Sequence, residues 1–456
     1  MNPIDDVPGP RNAALLRRIQ KRIISRDFHI VVMGTGYVGL PTAAVFSDAG
    51  FQVTAVDKRL AIVQSINSGR SPIVEPLLNE LISKSVRSGN LRARQELGDI
   101  SEVDAILVAV QTPIRANTRP NLSFLQGALR DIAKSVARGA IVCVVSTLPP
   151  GTMTRTVQPL LNSLTGLESG VDFFLAYTPE RMSPGSAVQE FRGSPRVVGG
   201  INRQSTEAAA MLFRQVCSTI LPTDAASAEL SKLAENAYRD LNIAFANHLA
   251  LISENSHADV MEVIRLANTH PRIGIHRPGP GVGGPCLTKD PLMLDSDAVF
   301  GKPSVITEGR RINNYMAKHV VDMTLRGLKS SKKVARQCSI AVLGAAYKGG
   351  VDDARESPSR IIVKGLLPRV REVRIYDPFC SESFGATVTK DLKECVNGSD
   401  CVITATDHEM FKSLDLSELK HRMNANPIIV DARRLIDGSS ARELGFIYLG
   451  LGEGRD

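Results

Sequence analysis

No stretch of this 456-residue chain strings together the roughly 18–20 apolar residues that a membrane span requires. The segment Met1 to Pro10 carries Asp5 and Asp6 and has no apolar core, so it reads as no secretory signal. The seven cysteines, at 143, 217, 286, 338, 380, 395 and 401, are odd in number and form no Cys-x-x-Cys pair. Neither a disulfide framework nor a zinc ribbon is expected, no metal site is read, and a reducing cytoplasm fits. A strong excess of one charge is also missing. The formal charge is +8, and residues 1–26 supply half of it with six Lys/Arg against two Asp. The weak excess over the remaining 430 residues does not argue for nucleic acid; it suits a pocket for an anionic substrate.

What is present is a chain built for large cores, 43% hydrophobic and 22% charged, with length for two or three domains. Residues 11–26 read as a short basic amphipathic helix, with Leu15, Leu16, Ile19, Ile23 and Ile24 apolar. It is expected to pack on its own protein or a neighbour, with a membrane-surface or targeting role as the alternative. From Phe28 the pattern alternates strand and helix. Strands are expected at 29–33, 52–57, 105–110, 141–145 and 173–176, as in a parallel doubly wound sheet. Cys143, Cys338 and Cys401 read as buried strand thiols. Residues 225–270 have few breakers and read as long helix. Alternation returns over 338–449, with strands at 337–344, 373–378, 401–404 and 427–431. The fold class read from this is α/β: two Rossmann-like α/β domains joined by a central helical dimerisation segment. The expected division is an N-terminal extension (1–27), a dinucleotide-binding domain (28–222), a central helical domain with a cysteine loop (223–330) and a second α/β domain (331–456).

Gly34-Thr35-Gly36-Tyr37-Val38-Gly39 follows a strand and opens a helix, and Asp57 stands about 20 residues on at a strand end. In that context Gly34, Gly36 and Gly39, with Tyr37 and Val38 between them, admit a pyrophosphate to a helix N-terminus. Asp57 would hydrogen-bond the adenosine ribose, which favours NAD over NADP. Lys58 and Arg59 stand where they could meet a 2′-phosphate. Gly344-Ala345-Ala346-Tyr347-Lys348 sits at a similar strand end without the full glycine set. It reads as a site for another nucleotide-bearing ligand rather than a second NAD.

Cys286 lies in Gly279-Pro280-Gly281-Val282-Gly283-Gly284-Pro285-Cys286-Leu287-Thr288-Lys289-Asp290-Pro291. Glycines allow close backbone approach to a ligand, and a thiol beside charged groups is a candidate nucleophile. Lys232 and Asn236, four apart on a helix, share a face.

Together with Thr112-Pro113, Ser146-Thr147-Leu148-Pro149-Pro150-Gly151-Thr152, Thr178-Pro179-Glu180-Arg181, Glu229 through Asn236, Ala346-Tyr347-Lys348 and Arg355-Glu356-Ser357-Pro358, these segments resemble the UDP-sugar 6-dehydrogenases over roughly residues 28–450. The resemblance implies four-electron oxidation of a sugar C6 hydroxyl to a carboxylate with two NAD. Cys286 would be the nucleophile that forms a thiohemiacetal and then a thioester. Lys232 would stabilise the oxyanion and Asn236 would orient it. Asp290 and Glu180 would share base and water-holding roles, and Thr147 would bind water near the nicotinamide. Thr112 joins the cofactor set, while Arg181, Gly283, Lys348 and Arg433 are implied on the substrate side. A homodimer through the central helices, a cytoplasmic location and a role in polysaccharide biosynthesis are implied in the same way.

Val282 in the glycine run and His270-Pro271-Arg272 upstream look like the enzymes for N-acetylated sugars, and most like those for UDP-N-acetylmannosamine. Arg272 would contact the sugar from a neighbouring subunit. Pro285, which precedes the cysteine where many relatives have histidine or serine, keeps UDP-N-acetylglucosamine and UDP-glucose as alternatives. The rival classes are a single-step hydroxyacid or hydroxyacyl dehydrogenase and a non-catalytic nucleotide-sugar-binding protein.

Overall fold

Secondary structure follows the buried apolar runs. The computed structural model describes residues 10–98, 100, 103–115, 120–295 and 303–454, so residues 1–9 of the expected N-terminal extension lie outside the described residues. The chain divides into two compact units, 1–235 and 236–456, and the division falls inside one helix, Ala225–Asn255.

The first unit holds an eight-stranded sheet. Its strands are β1 (His29–Met33), β2 (Gln52–Val56), β3 (Leu91–Arg94), β4 (Ala105–Val108), β5 (Ile141–Val144), β6 (Phe174–Tyr177), β7 (Arg196–Gly200) and β8 (Ile220–Asp224). The order is β3-β2-β1-β4-β5-β6-β7-β8. β4, β5 and β6 are buried at every residue, as continuous apolar strands covered on both faces must be. The five strands expected from the sequence, β1, β2, β4, β5 and β6, pair in parallel as expected. β7, which the sequence did not reveal, runs antiparallel to β6 and pairs Ala176 with Gly200 and Tyr177 with Gly199. β8 is an edge strand, which is where its Pro222 can be tolerated.

Only 5% of the chain is aromatic, yet four phenylalanines meet at one point of this core. Phe46 stands edge-on to Phe51, Phe191 and Phe213 at 5.9, 6.2 and 5.5 Å. The N-terminal helix Pro10–Ser25 packs into the same core through buried Leu16, Ile19 and Ile23. Each such side chain contributes up to about 1.5–3 kcal/mol. Arg22 pairs with Asp104, and Arg26 lies over the Phe51 ring. This helix packs on its own domain, as expected, through Leu16, Ile19 and Ile23, whereas Ile24 is 66% exposed.

The second unit carries a six-stranded, all-parallel sheet. Its strands are β9 (Ser339–Leu343), β10 (Glu372–Tyr376), β11 (Thr387–Val388), β12 (Cys401–Thr404), β13 (Ile428–Asp431) and β14 (Ile447–Gly450), in the order β11-β10-β9-β12-β13-β14. The long helix Val305–Ser330 packs against the sheet. Cys143, Cys338 and Cys401 are buried as expected.

The helix Ala225–Asn255 inverts the usual polarity. Glu229, Asn236, Asp240 and Asn247 are buried, while Leu230, Tyr238, Phe245 and Ile252 are exposed. Tyr238, Phe245 and Ile252 repeat every seven residues and so form one apolar stripe.

Candidate active site

At the end of β1 the chain turns on Gly34, whose φ of +89° lies in the left-handed region. A Cβ on Gly34 would lie 2.6 Å from the Ala109 carbonyl oxygen, and one on Gly39 only 1.8 Å from that of Gly34. Gly36 faces open space, with no atom within 4 Å of where its Cβ would stand. The helix Gly39–Asp48 starts here with no side-chain cap and no acid in its first turn, so the positive end of its dipole is left to an anion. This cradle fits the pyrophosphate of a dinucleotide, and half-buried Tyr37 and Val38 line the turn.

Asp57 follows β2. Thr35 grips it through N–H (3.2 Å) and Oγ1 (2.8 Å), and so fixes the carboxylate beside the glycine turn. Arg59 donates to the same carboxylate from its N–H, Nε and Nη2 at 3.0, 2.9 and 2.9 Å. Burial pulls the other way, but the Arg59 and Thr35 bonds hold this carboxyl well below the usual carboxylate range.

Two further expected residues meet directly. Thr112 Oγ1 donates to the Thr147 carbonyl at 2.7 Å, which anchors the Ser146–Thr152 loop after β5. Glu229 holds the far side of that loop, accepting from the Gly151 and Met153 N–H groups at 2.6 and 2.7 Å. Burial pushes the Glu229 carboxyl up to about 7, against the downward pull of those N–H donors.

Glu180 is buried and heavily engaged. Its Oε1 accepts from the N–H groups of Arg181 (2.7 Å) and Met182 (2.9 Å), and its Oε2 accepts from Arg196 Nη2 at 2.6 Å. A carboxylate has about four acceptor positions, so one on Oε2 remains for a water. Arg181, expected on the substrate side, is bound to Glu235 and donates to the Pro195 carbonyl at 2.8 Å. Lys232 is half-buried on the helix that carries Glu229.

In the second unit the cysteine loop is built as a hydrogen-bonded turn. The N–H groups of Lys289 and Asp290 donate to the Cys286 carbonyl at 3.1 and 2.9 Å, which leaves the Cys286 side chain exposed. Asp290 is fully buried. It accepts from Asn236 Nδ2 at 2.6 Å and from Lys289 Nζ at 2.9 Å. The helix and the loop are thereby tied together through Asp290, whose N–H also donates to the Cys286 carbonyl. The glycines of the run are sterically required. A Cβ on Gly283 would lie 2.7 Å from both the Glu356 carbonyl oxygen and Tyr347 Cβ, and one on Gly284 would lie 2.8 Å from the Tyr347 ring. The Gly284 N–H donates to the Arg355 carbonyl at 3.0 Å. The loop therefore lies flat on the Tyr347 and Arg355–Pro358 segments, with half-buried Lys348 next in the chain.

Asn247 Oδ1 receives the Gly279 N–H (2.9 Å) at the start of the run, and Asn313 Oδ1 receives Asn247 Nδ2 (2.8 Å). Asn313 and Arg310 both donate to Asp240. Arg433 spans two carbonyls, Ala405 through Nε (2.9 Å) and Tyr347 through Nη2 (3.2 Å), and burial lowers its pKa. It braces the loop that carries Lys348. His270 and Arg272 are exposed on the turn after the helix Val260–Ala267.

Sequence reasoning assigned no role to Arg196 or the Asp240–Arg310 pair, took Lys289 only as a charge near the thiol, and quoted Glu229 only as the start of a motif. Glu229 had one signal, since a Pro-Pro-Gly turn that opens a helix without an acid of its own needs an acceptor from elsewhere. Arg196 lies 16 residues from Glu180, and no spacing rule joins them.

The paired Rossmann-like sheets, the dinucleotide cradle and a thiol in a glycine-built turn define an NAD-dependent oxidoreductase with a second nucleotide-binding domain. Comparison with known proteins narrows this. Residues 28–217, 226–315 and 341–438 match, in turn, the NAD binding, central and UDP binding domains of the UDP-glucose/GDP-mannose dehydrogenase family. The chain is 40% identical over 428 residues to the UDP-N-acetyl-D-mannosamine dehydrogenase of Pyrococcus horikoshii, covering 93% of this chain and 99% of the relative. A solved structure of that archaeon's UDP-D-ManNAc dehydrogenase superposes with a TM-score of 0.88 at 39% identity, over 93% of this chain and 99% of the other. The NDP-N-acetyl-D-galactosaminuronic acid dehydrogenase of Methanosarcina mazei Go1 superposes with a TM-score of 0.84 at 32% identity, over 98% of both chains. The chain belongs to the UDP-glucose/GDP-mannose dehydrogenase family and is an NAD-dependent nucleotide-sugar dehydrogenase.

Proposed function

We propose that this chain oxidises the C6 hydroxyl of a UDP-N-acetylhexosamine, with UDP-N-acetyl-D-mannosamine as the substrate, to the uronate through a covalent Cys286 thioester. The observation that carries the reading is the Cys286 turn, locked to Asn236 through buried Asp290. The relatives named for UDP-N-acetyl-D-mannosamine support the choice of sugar.

NAD supplies the hydride acceptor for each of the two oxidations. The chain's own residues do the rest. The alcohol loses a hydride and a proton to give an aldehyde. The Cys286 thiolate adds to that carbon, forming a C–S bond and an oxyanion that the Lys232 ammonium and the Asn236 amide stabilise. Loss of the second hydride leaves a thioester. Water then forms the C–O bond, the C–S bond breaks, and the thiol and a carboxylate are released. Glu180 and Asp290 both keep acceptor capacity for that water, since three donors reach the first and two the second. Asp290 has donors on both oxygens and serves to fix Asn236 and Lys289. Lys348 meets the UDP moiety, Gly283 lets the sugar approach the loop, and Arg272 reaches the sugar of a partner copy.

The apolar stripe on the central helix supports a homodimer. Tyr238, Phe245 and Ile252 are 64%, 52% and 48% exposed in the single chain, and large apolar side chains grouped in this way mark an interface. A nucleophilic thiol that must stay reduced fits the cytoplasm. The product, a nucleotide-activated uronate, fits polysaccharide biosynthesis.

The test is NADH yield against UDP-glucose and the UDP-activated N-acetyl derivatives of glucosamine, mannosamine and galactosamine. The reading expects two NADH per UDP-N-acetylmannosamine and no released aldehyde. One NADH per substrate, with Cys286→Ala as active as the parent, would falsify the covalent step.

A further inference from the structure

We propose that Arg59 is a coenzyme-selecting latch, and that through it this chain binds NADP as well as NAD. In a dinucleotide fold an acid at the Asp57 position accepts from the ribose hydroxyls and repels a 2′-phosphate. Here the two oxygens of that acid are already held by the fork of Arg59, through Nε to Oδ1 and Nη2 to Oδ2, both at 2.9 Å. Thr35 fixes the carboxylate from behind, so it cannot turn away from the fork. Two consequences follow. The ribose of NAD competes with Arg59 for one pair of oxygens, and the charge that would repel a 2′-phosphate is neutralised in place.

The neighbourhood adds to this. Arg94, exposed at the end of β3, accepts the Asp57 N–H through its carbonyl at 3.1 Å. Lys58 is exposed, and its nearest carboxylate is Asp131 at 3.6 Å. Arg59 is thus the cation that holds the carboxylate at the adenosine end of the cradle. A guanidinium displaced from Asp57 by a ribose stays tethered at residue 59. A 2′-phosphate would give it a new forked partner, since arginine matches phosphate as it matches carboxylate. NAD breaks the Arg59 ion pair without replacing it, whereas NADP exchanges it.

The experiment is equilibrium titration of the full-length protein with 5′-AMP, adenosine 2′,5′-bisphosphate, NAD and NADP, in the parent, Arg59→Ala and Arg59→Gln. Binding is read as heat and does not depend on turnover. The parent is expected to bind the bisphosphate at least as tightly as 5′-AMP, with the steeper salt dependence of an added ion pair. Arg59→Ala is expected to reverse that order. It should bind 5′-AMP and NAD about two- to fivefold tighter, because an exposed ion pair no longer opposes them. The Arg59 side chain is 60% exposed, so neither variant threatens the fold, and retained NAD binding in the same samples verifies it. A parent that prefers 5′-AMP, or an order of preference that both variants leave unchanged, overturns the proposal.

Discussion

The Arg196 guanidinium donates to Glu180 at 2.6 Å while lying 4.3 Å from the centre of the Phe191 ring and 4.9 Å from that of Phe213. Both side chains are almost wholly buried, at 4% and 7% exposure. Breaking such a pair from one side strands a charge in the core, at a cost of about 3–5 kcal/mol. Arg196→Met is therefore expected to lower the urea midpoint of the first unit clearly, and Glu180→Gln to do the same. The double variant should recover part of the loss. A double-mutant cycle checks this, and strictly additive losses would show that the two side chains are not coupled.

Glu229 links stability to pH. Its folded carboxyl titrates near 7, above the 4.5 of an unperturbed glutamate, so the fold favours the protonated form. The stabilisation this brings is complete below pH 4.5 and is lost as pH rises through 7, a change of roughly 3 kcal/mol. Glu229→Gln has no proton to lose. Its stability relative to the parent should rise between pH 5 and pH 8, as read from denaturant midpoints. A difference that stays flat with pH would show that Glu229 does not titrate in this range.

Gly283 tests the fit of the cysteine loop. An alanine there must move the loop off Tyr347 or the Glu356 carbonyl, because its Cβ would stand 2.7 Å from each. Displacements near 1 Å at a reacting group cost about 10²-fold in rate. Gly283→Ala should lose kcat on that scale while NAD titrates as in the parent. Undiminished kcat would mean that the loop has room to spare.

The dimer reading turns on the outer face of the central helix. Tyr238→Glu combined with Phe245→Glu places two charges on the apolar stripe. Sedimentation should show a monomer where the parent sediments as a dimer. A parent that sediments as a monomer removes the reading.

Much of this was legible in the chain because the chemistry is local. The Gly34–Gly39 turn and Asp57 are readable since close backbone approach and a strand-end acid are properties of a short segment. Most strands of both sheets stood out as continuous apolar runs. β3, β7, β8, β11 and β14 did not: Leu91–Arg94 carries two arginines, Arg196–Gly200 ends in two glycines, Ile220–Asp224 contains a proline at a sheet edge, Thr387–Val388 is two residues long, and Ile447–Gly450 is short and ends in glycine. The helix Val305–Ser330 passed unread, with Gly309, Asn313 and Asn314 interrupting its pattern. Arg59 was legible as a nearby cation but not as the partner of Asp57. Pairings such as Glu180 with Arg196, or Asn247 with the Gly279 N–H, depend on the tertiary fold and leave no spacing to read.

The inverted polarity of the helix Ala225–Asn255 makes its phase decide which buried polar contacts form. Asn236, Asp240 and Asn247 each hold a different partner: Asp290, the Arg310–Asn313 pair and the Gly279 N–H. Each residue added to an α-helix turns all that follows by about 100°. One inserted residue between Asn236 and Asp240 would leave the helix intact and its composition nearly unchanged. It would also swing Asp240 and Asn247 away from their partners together and turn part of the apolar stripe inward. Chain length within this helix is thus under tighter constraint than the identity of most residues along it.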